Sequence, residues 1–112
     1  MLDYGFSEEQ LAIKDLAYEF AVKKIKPLRE EFDAKEEFPR SIVEDMRKSE
    51  LFGLWLPAEY GGSGGGITEL VIAMEQLSRV CTGIALPIAT SALGGMPILL
   101  YGTDEQRKKW LH

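Results

Sequence analysis

The chain has 112 residues, 46% of them hydrophobic, and a formal net charge of −5. That length suffices for one domain around one core, and an acidic chain without a basic stripe excludes a nucleic-acid surface. A single cysteine, Cys81, excludes an internal disulfide and reads as a small core residue of an intracellular protein rather than a nucleophile.

The opening, MLDYGFSEEQ, is acidic and lacks an early apolar run, so it does not read as a secretory signal. Phe6-Ser7-Glu8-Glu9-Gln10-Leu11 predicts a helix start, with Ser7 as cap, Gln10 completing a capping box and Phe6 stapled onto Leu11. Glu8 and Glu9 suit the positive end of the helix dipole. Ile13, Leu16, Ala17 and Phe20 then fall on one face at helical spacing. Pro27 should kink or divide this helix, with Leu28 to Lys35 as a charged continuation. Glu30, Glu31, Glu36 and Glu37 read as a solvated face, since nothing nearby would bury them for acid–base work.

Phe38-Pro39 predicts a second helix with proline near its first turn, Ile42, Val43 and Met46 facing inward, and Gly53 as its stop. Leu54-Trp55-Leu56, closed by Pro57, reads as a short extended run. The glycine-rich Tyr60 to Gly66 stretch invites a phosphate-cradle reading. However, no Lys-Ser or Lys-Thr follows, the spacing is not G-x-G-x-x-G, and no strand precedes it, so a mobile connecting loop is expected.

Thr68 is the expected cap of a third helix, with Ile67 stapled onto Ile72. Leu70, Ala73, Met74, Leu77 and Cys81 form its apolar stripe, and Glu75 with Arg79 an i, i+4 ion pair. From Val80 to Thr103 the chain carries no charge. The run is long enough to cross a membrane, but Pro87, Pro97, Gly94-Gly95, Thr82, Thr90 and Ser91 all weaken a lone helix in hydrocarbon. It therefore reads as a buried central helix that begins near Ile84 to Leu86, takes Pro87 in its first turn, kinks near Pro97 and ends at Gly102. Thr103-Asp104-Glu105-Gln106 is a second capping box opening a helix that the sequence leaves barely two turns long, which suggests a continuation. The only histidine is His112, so no His-based triad or metal cluster can be assembled. On residues alone, the chain is an all-α domain with no self-sufficient active site.

Three stretches add a resemblance. GLWLPAEYGGSGGG (Gly53 to Gly66), the Glu75-Gln76-Leu77-Ser78-Arg79 helix end leading into Cys81-Thr82-Gly83, and MPILLYGTDEQRKKWL (Met96 to Leu111) resemble the N-terminal helical domain of the acyl-CoA dehydrogenases, over essentially the whole of residues 1–112. The added Gly65-Gly66 is a small departure in a loop. The resemblance implies orthogonal and up-down helices around one buried apolar helix. It further implies a complete enzyme with a middle β domain that holds much of the FAD and a C-terminal helical bundle. The family's reaction is α,β-dehydrogenation of an acyl-CoA thioester. A glutamate base, usually on the C-terminal domain, removes the α proton, and the flavin accepts the β hydrogen as hydride. No residue of this chain is then catalytic, and the chain alone should neither bind FAD nor act.

What the resemblance assigns to this domain is a wall of the acyl pocket, with Leu86, Ala89, Thr90 and Leu93 facing the acyl tail. Ile84 stands where glutaryl-specific members carry an arginine, which disfavours a dicarboxylic substrate. A dimer or tetramer, electron-transfer flavoprotein as a partner, no membrane, and the cytoplasm (or mitochondrial matrix in a eukaryote) complete the implied picture. Two alternatives stay open: an oxidase or monooxygenase on the same scaffold, and a stand-alone helical interaction module.

Overall fold

The computed structural model describes residues 4–111, and among them every regular element is helical. In chain order these are α1 (Glu8–Phe20), a π-helical turn (Ala21–Ile25), α2 (Arg29–Lys35), α3 (Arg40–Lys48), α4 (Ile67–Tyr101) and α5 (Asp104–Trp110), with 3-10 turns at Leu51–Gly53 and Ala58–Tyr60. His112 lies outside the described residues.

α1 begins as its sequence dictates. Ser7 Oγ accepts from the Gln10 N–H at 3.1 Å, and Gln10 Oε1 accepts from the Ser7 N–H at 3.0 Å. Phe6 lies beneath the Lys14 ammonium, 5.7 Å from the ring centre. Ala17 and Phe20 are buried and Ile13 partly so, whereas Leu16 faces outward, 46% exposed. Ahead of Pro27 the backbone widens into the π turn, where the Lys26 N–H reaches back to Ala21 O at 2.9 Å. Pro27 divides the helix as expected, with α2 starting at Arg29 and Leu28 at its cap position.

Two expectations in the next stretch are corrected. Pro39 stands at the cap of α3, beside its first turn as expected, but α3 ends at Lys48, well short of Gly53. The stop comes from Glu50, whose φ of 61° is left-handed and cannot continue a helix. Leu54-Trp55-Leu56 is a turn and not an extended run, because it follows the 3-10 turn directly, with Leu54 still in right-handed helical geometry. The glycine loop is tied down to that turn. The Ser63 N–H donates to Gly53 O at 3.0 Å, and the Gly64 N–H to Leu56 O at 3.0 Å. A Cβ on Gly62 would stand 1.9 Å from Leu56 O, so only glycine permits this approach.

α4 organises the rest. It begins at Ile67, not after Thr68, because Glu69 Oε2 accepts the Gly66 N–H at 2.7 Å and makes Gly66 the cap position. At about 1.5 Å per residue, 35 residues of straight helix would run roughly 52 Å, longer than the molecule's greatest extent of 42 Å. The helix breaks instead at Cys81, whose φ of −160° and ψ of 109° are extended. Segment 82–101 thus starts earlier than expected and puts Pro87 in its second turn. Cys81 itself is half-buried, packed against the core from the break. Pro97 causes no interruption: helical geometry runs through to Tyr101.

Segment 67–80 lays Leu70, Ala73 and Leu77 against α1, and segment 82–101 buries Ile84, Ala85, Ile88 and Ala92. Ile25, Ile42, Met46, Leu51, Leu54, Trp55 and Leu111 complete the same cluster. Full burial of a side chain the size of Leu or Ile is worth about 1.5–3 kcal/mol against exposure, so this cluster holds the helices together. α5 opens with the expected Thr103–Gln106 capping box and closes the C-terminal end of α4.

By length and composition α4 is also the one helix among the described residues that would pass for a membrane span, with a mean hydropathy of 1.7 over its most apolar window. Only 22% of that window is buried. The expectation of a fully buried central helix is therefore corrected: one side of segment 82–101 enters the core, and the other is uncovered.

Candidate functional site: an uncovered apolar helix face

The uncovered side is the one that carries the four residues assigned to the acyl tail. Positions 86, 89, 90 and 93 follow i, i+3, i+4, i+7 and share one helix face. The buried Ile84, Ala85, Ile88 and Ala92 occupy the opposite face. Leu86 is 48% exposed and Leu93 76%, Thr90 is exposed and Ala89 half-buried. A single helix presents all four as one stripe, but they border two hollows. Ala89 and Leu93 line a groove of about 530 Å³ between the two segments of α4, together with Leu70, Val71, Met74 and Met96. Leu86 and Thr90 border a second hollow of about 450 Å³, against Phe38, Pro39, Val43 and Phe52.

The stripe has little polarity to offer. Thr90 Oγ1 lies 3.0 Å from Leu86 O and 3.2 Å from Pro87 O, so its one proton is spent within the helix. In the larger groove Glu75 is the only ionisable group among the lining residues. A carboxylate tail would meet no cation there and would be costly to bury. Ile84 is 5% exposed and sits on the core side.

Three side chains from outside α4 fix this helix, and sequence reading had not singled them out in this role. At its start, Gln10 Nε2 donates to Glu69 Oε1 at 3.0 Å while Glu69 receives Gly66. The Gln10 amide first, and then the Gly66 N–H, hold the Glu69 carboxyl below its ordinary value. At the break, Arg29 Nη1 donates to Val80 O at 2.8 Å. At the end, Arg107 Nε donates to Leu99 O at 3.0 Å. Cations suit both positions, because carbonyls without helical partners carry the negative end of the dipole.

The Glu75–Arg79 ion pair does not form among the described residues. Arg79 Nη1 donates to Gln76 Oε1 at 2.7 Å, and its guanidinium stacks over Tyr18, 4.4 Å from the ring centre. Gln76 is 3% exposed, and a bond to a charged donor offsets the burial of its amide. The only available signal in the sequence was a polar residue three places after Ala73, on the apolar phase of the helix.

The glycine loop does not make a phosphate site. Its donors turn inward, with Gly61 to Ala58 O, Gly62 to Pro57 O, Ser63 to Gly53 O, Gly64 to Leu56 O and Gly66 to Glu69. The hollow beside it is lined by Glu9 and Glu69, whose charges oppose an anion. The residues here therefore do not fit the pyrophosphate of a flavin dinucleotide.

Residues 7–112 match the family described as acyl-CoA dehydrogenase, N-terminal domain. The chain is 43% identical over 108 residues to a 3-(aryl)acrylate reductase of Clostridium sporogenes, an alignment covering 95% of this chain and 28% of that protein. Its fold superposes with a TM-score of 0.92, at 36% identity, on a chain from a structure of the electron transferring flavoprotein of Acidaminococcus fermentans, covering 98% of this chain and 29% of the other. It superposes with a TM-score of 0.90, at 26% identity, on butyryl-CoA dehydrogenase from Megasphaera elsdenii, covering 98% and 30%. The chain belongs to the acyl-CoA dehydrogenase family, as its N-terminal helical domain. It spans less than a third of the length of these relatives.

Proposed function

We propose that this domain works within an FAD-dependent acyl-CoA oxidoreductase, where Leu86, Ala89, Thr90 and Leu93 form one wall of the acyl pocket. The observation that carries this reading is the uncovered, uncharged face of segment 82–101, opposite the buried Ile84, Ala85, Ile88 and Ala92. Such a surface suits hydrocarbon, where each buried CH₂ contributes about 0.8 kcal/mol. Its part in the reaction is to exclude water and align the acyl chain with reacting groups supplied by other segments. The flavin and the catalytic base belong to those segments. Electron-transfer flavoprotein is the proposed redox partner, and a dimer or tetramer the proposed assembly. The favoured substrate is an acyl-CoA whose acyl tail carries no charge.

A second reading concerns direction and tail. A relative 43% identical is a 3-(aryl)acrylate reductase, and the small Ala89 and Thr90 between Leu86 and Leu93 leave width for a flat ring. In this reading the same wall faces an aryl group, and the enzyme reduces the α,β double bond.

The test uses the full-length protein with butyryl-, octanoyl- and 3-phenylpropionyl-CoA. Filling the wall by Ala89→Phe or Thr90→Trp should lower kcat/KM for octanoyl-CoA about tenfold more than for butyryl-CoA. Equal losses would make these residues packing positions. A preference for the aryl substrate in the unmodified protein would select the second reading.

A further inference from the structure

The direction in which segment 82–101 leaves the break at Cys81 decides where the outward stripe stands and how wide the groove between the two segments opens. The break also strands carbonyls at the end of segment 67–80. Thr82 Oγ1 lies 3.5 Å from Ser78 O, at the limit of a hydrogen bond. Val80 O, the last carbonyl before Cys81, receives Arg29 Nη1 at 2.8 Å, from a residue 51 positions earlier in the chain. Arg29 is the first residue of α2, placed there by the division at Pro27. Among the described residues it makes no ion pair. Its charge is thus directed to a helix end, where both the hydrogen bond and the dipole favour it.

We propose that Arg29 is a positioning residue for the acyl wall: by holding Val80 O it fixes the angle at which segment 82–101 departs, and with it the chain-length preference of the pocket. This rests on the acyl-wall reading above. Arg29 lies on the far side of the break from Leu86, Ala89, Thr90 and Leu93 and lines neither hollow beside them, so its influence passes through backbone geometry.

Two readouts test it. In the full-length enzyme, Arg29→Met should lower the octanoyl-to-butyryl ratio of kcat/KM about tenfold, as misplacement of a pocket wall does. Arg29→Lys, which keeps a cation near Val80 O, should restore part of the ratio. Independently of activity, spin labels at Thr68→Cys and Leu100→Cys in a Cys81→Ser background report the distance between the two segments. Arg29→Met should broaden that distance distribution, and Arg29→Lys should broaden it less. An unchanged distribution and ratio in Arg29→Met, even with a lowered melting temperature, would reduce Arg29 to a stabilising contact and overturn the proposal. Should Arg29→Met fail to fold, Arg29→Gln, which removes the charge and shortens the reach toward Val80 O, takes its place: wild-type width and ratio in Arg29→Gln would overturn the role. If the unmodified enzyme turns over no acyl-CoA, the acyl reading fails while the distance measurement still judges the hinge.

Discussion

Gly94 and Gly95 are neighbours in one helix, yet a methyl group added to each would meet opposite surroundings. At Gly94 nothing lies within 4 Å, whereas at Gly95 the new Cβ would stand 2.7 Å from Trp55 Cη2 and 3.0 Å from Cζ2. The indole of Trp55, 6% exposed, has its seat in the core because position 95 has no side chain. Gly94→Ala should therefore stabilise the chain by up to about 1 kcal/mol through helix propensity alone. Gly95→Ala gains the same propensity but forces the ring to shift, and should lose about 1–2 kcal/mol net. Thermal melts of the two variants should move in opposite directions. From the sequence, the pair read only as a weak spot in the helix. Which glycine makes room for the indole depends on Trp55, forty residues earlier, and no local pattern encodes that.

At the scale of elements, the helix starts were legible where a side chain close in sequence does the work. The capping boxes at Ser7–Gln10 and Thr103–Gln106 formed as their residues dictate. α4 was misjudged at its start because Thr68 is a favoured cap type, while the actual cap uses a backbone N–H received by Glu69. The break before the second segment was read a few residues late, near Ile84, because nothing adjacent in sequence marks Cys81 as the residue that leaves helical geometry. Glu69 leads to a pH prediction. Its carboxyl is held below the ordinary 4.5 by the Gln10 amide and the Gly66 N–H, so folding favours its ionised form. That contribution is present above the ordinary value and is lost as pH falls through the lowered folded value. Glu69→Gln should thus be less stable than the unmodified chain near pH 7, by about 0.5–1 kcal/mol as for a weakened cap. Urea melts should show the difference shrinking toward pH 3, and a gap that stayed constant with pH would disprove the linkage.

The whole molecule is a slab, 42 × 39 × 21 Å. Its short dimension admits about two layers of helices some 10 Å across, so a helix in it tends to keep one side free. That explains why hydropathy alone could not sort segment 82–101. Both Ile84, Ala85, Ile88, Ala92 and Leu86, Ala89, Thr90, Leu93 avoid charge, and only packing shows which set is inside. The family resemblance, rather than periodicity, picked out the outward set. The uncovered apolar surface includes Leu86, Leu93, Leu100, Tyr101 and Trp110, each at least 48% exposed. Leu86, Leu93 and Leu100 recur every seven residues on one side of the helix, and exposed apolar surface of this kind marks interfaces, so the chain by itself should associate as its concentration rises in sedimentation velocity. Leu93→Lys combined with Leu86→Lys should shift it toward monomer. A wild-type chain that stayed monomeric across a wide concentration range would contradict this.

The π turn at Ala21–Ile25 has a consequence for how the chain tolerates changes in its own length. A π turn holds one residue more than the α turn it replaces, and Lys23 and Lys24 within it point to solvent. Deleting Lys23 should let the turn close to α geometry with the residues on either side still in phase, leaving helix content intact and the melting temperature within a few degrees. The same loss from segment 67–80 would rotate everything beyond it by about 100° and turn Leu77 out of the core. Circular dichroism of the two deletions distinguishes a site where the chain can shed a residue from one where it cannot.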